Sequence, residues 1–416
     1  MSEDESNSLS PHTRLVTGGR REEWTGTPGH PGAVVNPPVW RASTHLYPDT
    51  ASLKAGPHRN EDGRFFYGRR GSPTQWALCE ALTALEPGAE GTVLYPSGVA
   101  AVAGAMIAVL RPGDEILITD NAYDPTRNLG TGWLRDFGIS HRYFDPLDVD
   151  GFAAMIGGST RAVLLETPGS LTMEVCDIPV LAAAARARGL VVMLDNTWAS
   201  SLGLTALEHG ADIAIQALTK HVGGHSDLMM GANTAGPEWY PALRKSAQQL
   251  GHVVSPDDAA LALRGMRTMG VRLERETASA LRIARWLEDR PQIAKVLCPM
   301  LPGSPGHEIW MRDFGGGCGL LSFVLKGGDA AARARLLDAL ELFGIGYSWG
   351  GFESLALPID PAADRSVIPW PLPGMDAGDR FAVRLSIGLE DAGDLIADLE
   401  RGLAAWASGG RSIGAV

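Results

Sequence analysis

Gln216-Ala217-Leu218-Thr219-Lys220-His221-Val222-Gly223-Gly224-His225-Ser226-Asp227 directly continues the short apolar run that starts at Ile213. A buried strand that opens into a turn of Gly, His, Ser and Thr is the place where open α/β sheets gather ligands, outside the carboxyl ends of their strands. The lysine in the middle of this turn is a scarce residue. Only Lys54, Lys220, Lys245, Lys295 and Lys326 occur among the 36 basic residues, so arginine carries most of the positive charge. The plainer alternative for Lys220 is a cation at a helix end, favoured there by the helix dipole, and its polar company argues against that. Asp195 ends another apolar run, Val191 to Leu194, 25 residues earlier. A carboxylate at the end of a buried strand is costly without a cationic or hydrogen-bonding partner. Capping the next segment is its other reading.

Working outward, helix-like and strand-like patterns alternate. Helices are expected over Thr74 to Leu85, Val99 to Leu110, Thr126 to Phe137 and Pro179 to Arg188, and strands over Thr92 to Tyr95, Glu115 to Thr119, Ala162 to Glu166, Leu190 to Leu194 and Ile213 to Gln216. Short apolar strands separated by amphipathic helices call for an α/β fold with a mainly parallel sheet covered on both faces. A long helical pattern, Pro256 to Glu288, leads into a second, smaller α+β unit. Its expected elements are strand Gly319 to Leu325, helix Ala330 to Leu342, strand Phe381 to Ile387 and helix Ala392 to Trp406, with a Pro/Gly-rich loop over Ser366 to Asp379. The first 60 or so residues read as an extended arm with one short helix, order begins near Arg64, and Gly409 to Val416 reads as a frayed tail. The domain division expected is an arm at 1–65, a ligand-binding domain at 66–270 and a C-terminal domain at 271–416.

Composition narrows the function. A chain of 416 residues suits two or three packed units, and 45% apolar with 20% charged residues is globular rather than disordered. A net charge of −12 without a basic stripe argues against a nucleic-acid partner. The start, Met1-Ser2-Glu3-Asp4-Glu5-Ser6, has no basic or apolar leader, and the longest apolar stretch, Val99 to Leu110, is too short to span a bilayer. A cytoplasmic enzyme acting on small molecules is the expectation, with no membrane partner. Cys79, Cys176, Cys298 and Cys318 are scattered without metal-binding spacing, so reduced thiols are expected and no metal site.

Further residues stand just after apolar runs. In Tyr95-Pro96-Ser97-Gly98-Val99 a small residue and a glycine open a helix, where backbone N–H groups and the dipole favour a phosphate; an ordinary serine cap is the alternative. Tyr123 follows the Glu115 to Thr119 run and offers a ring to a flat heterocycle, or packs in the core. Arg384 interrupts the strand Phe381 to Ile387. It either binds a planar anion in a bidentate manner, forms a structural salt bridge, or lies on the open side of an edge strand. Tyr67-Gly68-Arg69-Arg70 offers phenol and guanidinium donors. An amine, a strand-end carboxylate and a helix-opening anion site are together what pyridoxal 5'-phosphate needs, for its aldehyde, its ring nitrogen and its phosphate.

These segments resemble, in order, the Cys/Met-metabolism family of fold-type-I pyridoxal phosphate enzymes. The likeness runs from Tyr67-Gly68-Arg69-Arg70-Gly71-Ser72-Pro73-Thr74 through Pro96-Ser97-Gly98, Ala122-Tyr123-Asp124-Pro125, Glu166-Thr167-Pro168-Gly169-Ser170, Asp195-Asn196-Thr197-Trp198 and Thr219-Lys220 with Gly224-His225-Ser226-Asp227. It ends with Tyr347-Ser348-Trp349-Gly350-Gly351-Phe352-Glu353-Ser354 and Arg384-Leu385-Ser386-Ile387-Gly388-Leu389-Glu390. Gly169-Ser170-Leu171-Thr172-Met173-Glu174 and the Ser-Trp-Gly-Gly block look like the family's β-lyase branch.

The resemblance implies an aspartate aminotransferase-like fold and a set of roles. Lys220 bonds to the cofactor's aldehyde, Asp195 holds the ring nitrogen, Tyr123 stacks on the ring, and Gly98, Val99 and Thr219 contact the phosphate. Tyr67 and Arg69 reach a neighbouring subunit's phosphate, which implies a homotetramer built from dimers with shared sites. Arg384 and Ser348 hold the carboxylate of an amino-acid substrate, and Tyr347 and Trp349 shape its pocket. Many relatives carry Ser where this chain has Ala217 and Tyr where it has His221, so one phosphate hydroxyl is in doubt. The reaction implied is β-elimination of L-cystathionine to homocysteine, pyruvate and ammonia, with freed Lys220 removing the Cα proton. The alternative is a related carbon–sulfur lyase or γ-class enzyme acting on cysteine conjugates, cystine, methionine or a homoserine ester.

Overall fold

The computed structural model describes residues 9–29, 31–55 and 63–408. The acidic start and the tail expected over Gly409 to Val416 lie outside the described residues. The chain forms two compact units, Met1–Val109 with Ser200–Gly270, and Leu110–Ala199 with Val271–Val416.

In the first unit, strands Gly91–Tyr95 (β1), Ile213–Gln216 (β6) and Gly231–Ala235 (β7), numbered along the chain, pair antiparallel in the order β1-β7-β6. Helix Pro73–Thr83 begins where Ser72 and Gln75 form a capping box and Pro73 supplies a preset φ. Helix Gly98–Val109, nearly all Ala, Val, Met and Ile, packs close to β1. A β-carbon at Gly104 would stand 2.3 Å from the Tyr95 ring, so only glycine permits the approach. The arm is more ordered than expected, with helices Pro11–Thr17, Glu22–Thr25 and Thr50–Ala55. Ser10 Oγ accepting from Thr13 N–H caps the first of these, a local signal hidden in a Pro/Gly-rich context.

In the second unit, strands Glu115–Thr119 (β2), Ser140–Phe144 (β3), Thr160–Glu166 (β4) and Val191–Asp195 (β5) are all parallel, in the order β5-β4-β2-β3. Residues Ile116, Leu117, Ile118 and Val163, Leu164, Leu165 are buried, as strands covered on both faces require. A second sheet is made of Ile293–Leu297 (β8), Leu320–Leu325 (β9), Gly344–Ile345 (β10), Leu355–Ile359 (β11) and Ala382–Ser386 (β12), in the order β10-β11-β12-β9-β8. Phe323, Leu321, Val383 and Leu385 from this sheet form one apolar core with Ile283, Leu287, Leu336, Leu395 and Leu399 from the helices.

The single helix expected over Pro256 to Glu288 is two, Pro256–Arg267 and Met269–Glu288. Thr268 leaves helical geometry at φ −109, ψ 4, and its hydroxyl donates to the Gly265 carbonyl at 3.2 Å, an alternative to the helical ladder that short hydroxyl side chains offer. Similarly, the helix expected over Thr126 to Phe137 is Asp124–Leu129 followed by a π-type turn, Gly130–Leu134. The helix after β9 stops at Asp338, because the buried Asp398 carboxylate accepts the N–H groups of Glu341, Leu342 and Phe343.

Candidate active site

In the first unit the chain turns sharply after β6. Lys220 N–H donates to the Ala217 carbonyl at 3.1 Å, Gly223 N–H to Leu218 at 2.8 Å and Gly224 N–H to the Lys220 carbonyl at 2.7 Å. Thr219 is tied to Met230 three times. Its N–H and hydroxyl each donate to the Met230 carbonyl at 3.1 Å, and its Oγ1 accepts from Met230 N–H at 2.9 Å. A β-carbon at Gly265 would stand 2.2 Å from the Gly223 carbonyl oxygen, so helix Pro256–Arg267 presses its backbone onto the turn. The Lys220 main chain is therefore fixed on several sides while its side chain stays half-buried.

Beside this turn lies the opening of helix Gly98–Val109. Ser97 Oγ takes Ala100 N–H at 3.1 Å as an ordinary cap does, and the first helical N–H groups have no acceptor within the helix. Gly98 is a contact point, since a β-carbon there would meet the Ala217 β-carbon at 2.7 Å. The helix end, opened by this close-packed glycine, is suited to a phosphate. Tyr67 is exposed, with the Arg69 guanidinium 5.5 Å from its ring centre, and Arg69 lines an open hollow of about 460 Å³ with Lys245 and Gln248.

The second unit holds the other expected residues. Asp195 and Glu166 are Cα partners at the carboxyl ends of β5 and β4. Asp195 Oδ1 accepts from Thr197 N–H at 3.0 Å and from its hydroxyl at 2.5 Å. Glu166 Oε2 accepts the N–H of Tyr123 at 2.7 Å. Burial first, then the Asp195 carboxylate, hold the Glu166 carboxyl well above the usual range, so Glu166 tends to keep its proton beside an acidic neighbour. Tyr123 begins helix Asp124–Leu129 with its side chain 40% exposed, open on one side to a ring.

Two of the three alternatives for Arg384 fall away. Strand β12 has β11 on one side and β9 on the other, with Arg384 opposite Leu357 and Ser322, so it is no edge strand. Nor does Arg384 form an ion pair within 4.0 Å among the described residues. Its guanidinium donates to the Ser348 carbonyl at a long 3.4 Å, and burial pulls its pKa down to about 10, opposed by Tyr123 and Glu166. It is buried, still cationic at neutral pH, and paired with no carboxylate among the described residues. Ser348 sits at φ +90, a strained conformation for a non-glycine residue, and Tyr347 is 88% exposed beside it.

The first unit thus carries Lys220, Thr219, Gly98, Val99, Tyr67 and Arg69, and the second carries Asp195, Tyr123, Ser348, Tyr347, Trp349 and Arg384. Sequence reasoning assigned no role to Glu166 or to Asp120, although each ends or follows a buried strand as Asp195 does. No disulfide joins the four cysteines; Cys176, Cys298 and Cys318 are buried, and burial pushes the Cys176 and Cys298 thiols up to about 12. No helix is long and apolar enough to cross a membrane among the described residues.

The residues present fit pyridoxal phosphate. A helix end with a close-packed glycine suits the phosphate, a strand-end carboxylate suits the ring nitrogen, and a buried arginine without an anion suits the substrate. The chain is an α/β, fold-type-I pyridoxal phosphate-dependent enzyme. It belongs to the family of Cys/Met metabolism PLP-dependent enzymes, whose pattern matches residues 13–404. It is 42% identical to the cystathionine beta-lyase MetC of Escherichia coli (strain K12) over 94% of this chain and 98% of that protein. With the cystathionine beta-lyase of Salmonella typhimurium the identity is 43%, over 94% of this chain and 98% of that protein. Among solved structures, cystathionine gamma synthase from Xanthomonas oryzae pv. oryzae matches with a TM-score of 0.85 and 31% identity, covering 96% of this chain and 99% of that one.

Proposed function

We propose that the chain is a pyridoxal phosphate-dependent carbon–sulfur lyase that eliminates the β-thiolate of L-cystathionine, giving homocysteine, pyruvate and ammonia. The observation that carries the substrate class is Arg384, a buried guanidinium in a central strand without a carboxylate partner among the described residues. An α-amino acid supplies that carboxylate. When bound, the cofactor supplies the electron sink that makes the Cα–H bond acidic.

The chain's own residues do the rest. Lys220 would hold the cofactor's aldehyde through Nζ, and its amine, once free, is placed to take the substrate Cα proton. The Asp195 carboxylate would keep the ring nitrogen protonated, and Tyr123 would stack on the ring. Gly98, Val99 and Thr219 hold the phosphate; because the Thr219 hydroxyl is already bonded to Met230, its backbone position matters more than its free hydroxyl capacity. Ser348 assists Arg384, and Tyr347 and Trp349 shape the pocket wall. Within this reading Tyr67 and Arg69 serve a neighbouring subunit, the active assembly is a homotetramer of dimers, the enzyme is cytoplasmic, and the functional domains are 1–65, 66–270 and 271–416.

A γ-class activity is the second reading, favoured by the likeness to the cystathionine gamma synthase structure. Product identity separates the two. The purified enzyme should be yellow, lose its colour to borohydride with label fixed at Lys220, and form pyruvate from L-cystathionine. A 2-oxobutyrate product would replace the β-elimination reading with the γ one, and a colourless protein that takes up no cofactor would overturn both.

A further inference from the structure

Strand β11 ends at Ile359 and β12 begins at Ala382; the Pro-rich stretch between them leaves its sheet and docks on the turns that follow β2 and β4. The N–H groups of Ser366, Val367 and Ile368 donate to the Asp120 carboxylate at 2.9, 2.9 and 3.0 Å, and Ser366 Oγ donates to Asp120 Oδ1 at 2.7 Å. Arg127 closes the cluster, 3.1 Å from Asp120 Oδ1 and 3.0 Å from Ser366 Oγ, with its guanidinium 3.7 Å from the Tyr143 ring centre. One residue earlier, Arg365 donates to Thr172 Oγ1 and Glu174 Oε1. The Arg365 and Glu174 side chains are 4% and 2% exposed, and Asp120 is fully covered.

The two turns gripped in this way are the ones that carry Tyr123 and Glu166. Ser170 N–H donates to the Asn121 carbonyl at 3.1 Å, and Tyr123 N–H to Glu166, so each turn also braces the other. At its far end the same stretch runs into β12, which bears Arg384. Ser366 and Val367 are themselves exposed, so apolar burial does not hold this part of the stretch down. Its hydrogen bonds to buried charges do.

We propose that Arg365–Ile368 is a strap that sets the spacing between Arg384 and the Tyr123 turn, with Asp120 as a positioning residue for the substrate site. This rests on the reading of Arg384 as the carboxylate clamp and Tyr123 as the ring-stacking residue. An amino acid held by its carboxylate at Arg384 meets the chemistry only if that spacing is right, and a shift of about 1 Å costs on the order of 100-fold in rate.

Asp120→Asn keeps the shape but turns an amide NH2 toward backbone N–H donors, and so releases the strap. The test uses holoenzyme. Trypsin should leave the Arg365–Ser366 bond of the wild type intact, because Arg365 is buried, and should cut it in Asp120→Asn. Glycine, which has no β-leaving group, should bind the variant about 10- to 100-fold more weakly, read from the cofactor's absorbance at equal cofactor content. Ser366→Ala, which loses the hydroxyl and keeps the N–H, should fall between; Arg365→Gln is the second variant if Asp120→Asn does not fold. Release of the strap with unchanged glycine binding would make the contacts merely structural and overturn the proposal. Weakened glycine binding without release, or neither change, would overturn it too. Glycine binding does not depend on elimination, so a wild type that forms no keto acid from L-cystathionine yet shows these differences would sink the lyase reading and leave the strap standing.

Discussion

Glu166 and Asp195 face each other as Cα partners at the carboxyl ends of neighbouring parallel strands, one carboxyl tied to the turn of Tyr123 and the other to Thr197. Two acids so placed in a partly buried site do not both ionise easily. Glu166 is the one pushed upward, by burial and by Asp195.

The sign of its effect on stability follows. The folded state holds the Glu166 proton more tightly than the unfolded chain does. Its contribution is fully present below the ordinary carboxylate range and is lost as pH rises through the raised folded pKa. Glu166→Gln, permanently neutral and still able to accept from Tyr123 N–H, should remove that loss. Denaturant unfolding of the cofactor-free protein across pH checks this; an unchanged pH slope in the variant would assign the dependence to other groups.

Arg384→Ala should leave cofactor content intact and lower kcat/KM for L-cystathionine by roughly 100- to 10,000-fold, from two charge-assisted hydrogen bonds at about 1.5–3 kcal/mol each. Lysine should restore only part of it, since a point charge cannot reproduce the paired donors. Measuring cofactor occupancy and kcat/KM separately decides the matter. Lost cofactor with normal substrate affinity after refilling would give Arg384 to the phosphate or the fold.

Ala217 touches the position of the missing Gly98 β-carbon at the opening of helix Gly98–Val109. Ala217→Ser should therefore place a new hydroxyl beside the phosphate and tighten cofactor binding about ten-fold, the worth of one charge-assisted bond near 1.5 kcal/mol. Equilibrium dialysis of the cofactor against both proteins reads it. Equal or weaker binding in the serine variant would mean that the phosphate lies elsewhere.

Tyr67 and Arg69 are both exposed and Arg69 lines an open hollow, as residues that serve a neighbour would be. Refolding inactive Arg69→Ala together with inactive Lys220→Ala should restore activity at about one quarter of the sites, because random two-fold pairing gives hybrids in half the dimers and one intact site in each. Mixed oligomers that form and stay inactive would end the idea of shared sites.

Much of the fold was legible along the chain because its cause is local. Buried runs such as Glu115 to Thr119 and Ile213 to Gln216 are read from apolar β-formers bounded by turn residues, and they occupy those same positions in the structure. Where local chemistry is weak the reading failed. Strand β3, Ser140-His141-Arg142-Tyr143-Phe144, is polar because it lies at the edge of its order, and β7, Gly231-Ala232-Asn233-Thr234-Ala235, is built of small residues because other backbone presses on it. A β-carbon at Gly231 would stand 2.3 Å from the Ser97 carbonyl.

The same division holds for the site. Lys220, Asp195 and the helix opening at Gly98 announce themselves, since each follows a strand pattern visible in one short window. The standing of Arg384 did not, because whether a strand is central or at an edge depends on neighbours distant in the chain. Asp120 was silent for the same reason. Its partners are 246 to 248 residues away, and a carboxylate accepting backbone N–H groups demands no particular side chains in return, so the sequence carries no mark of the pairing. Local propensity and patterning wrote the elements and the reactive groups into the chain, while long-range hydrogen bonds, visible only once it has folded, decided what holds those groups in place.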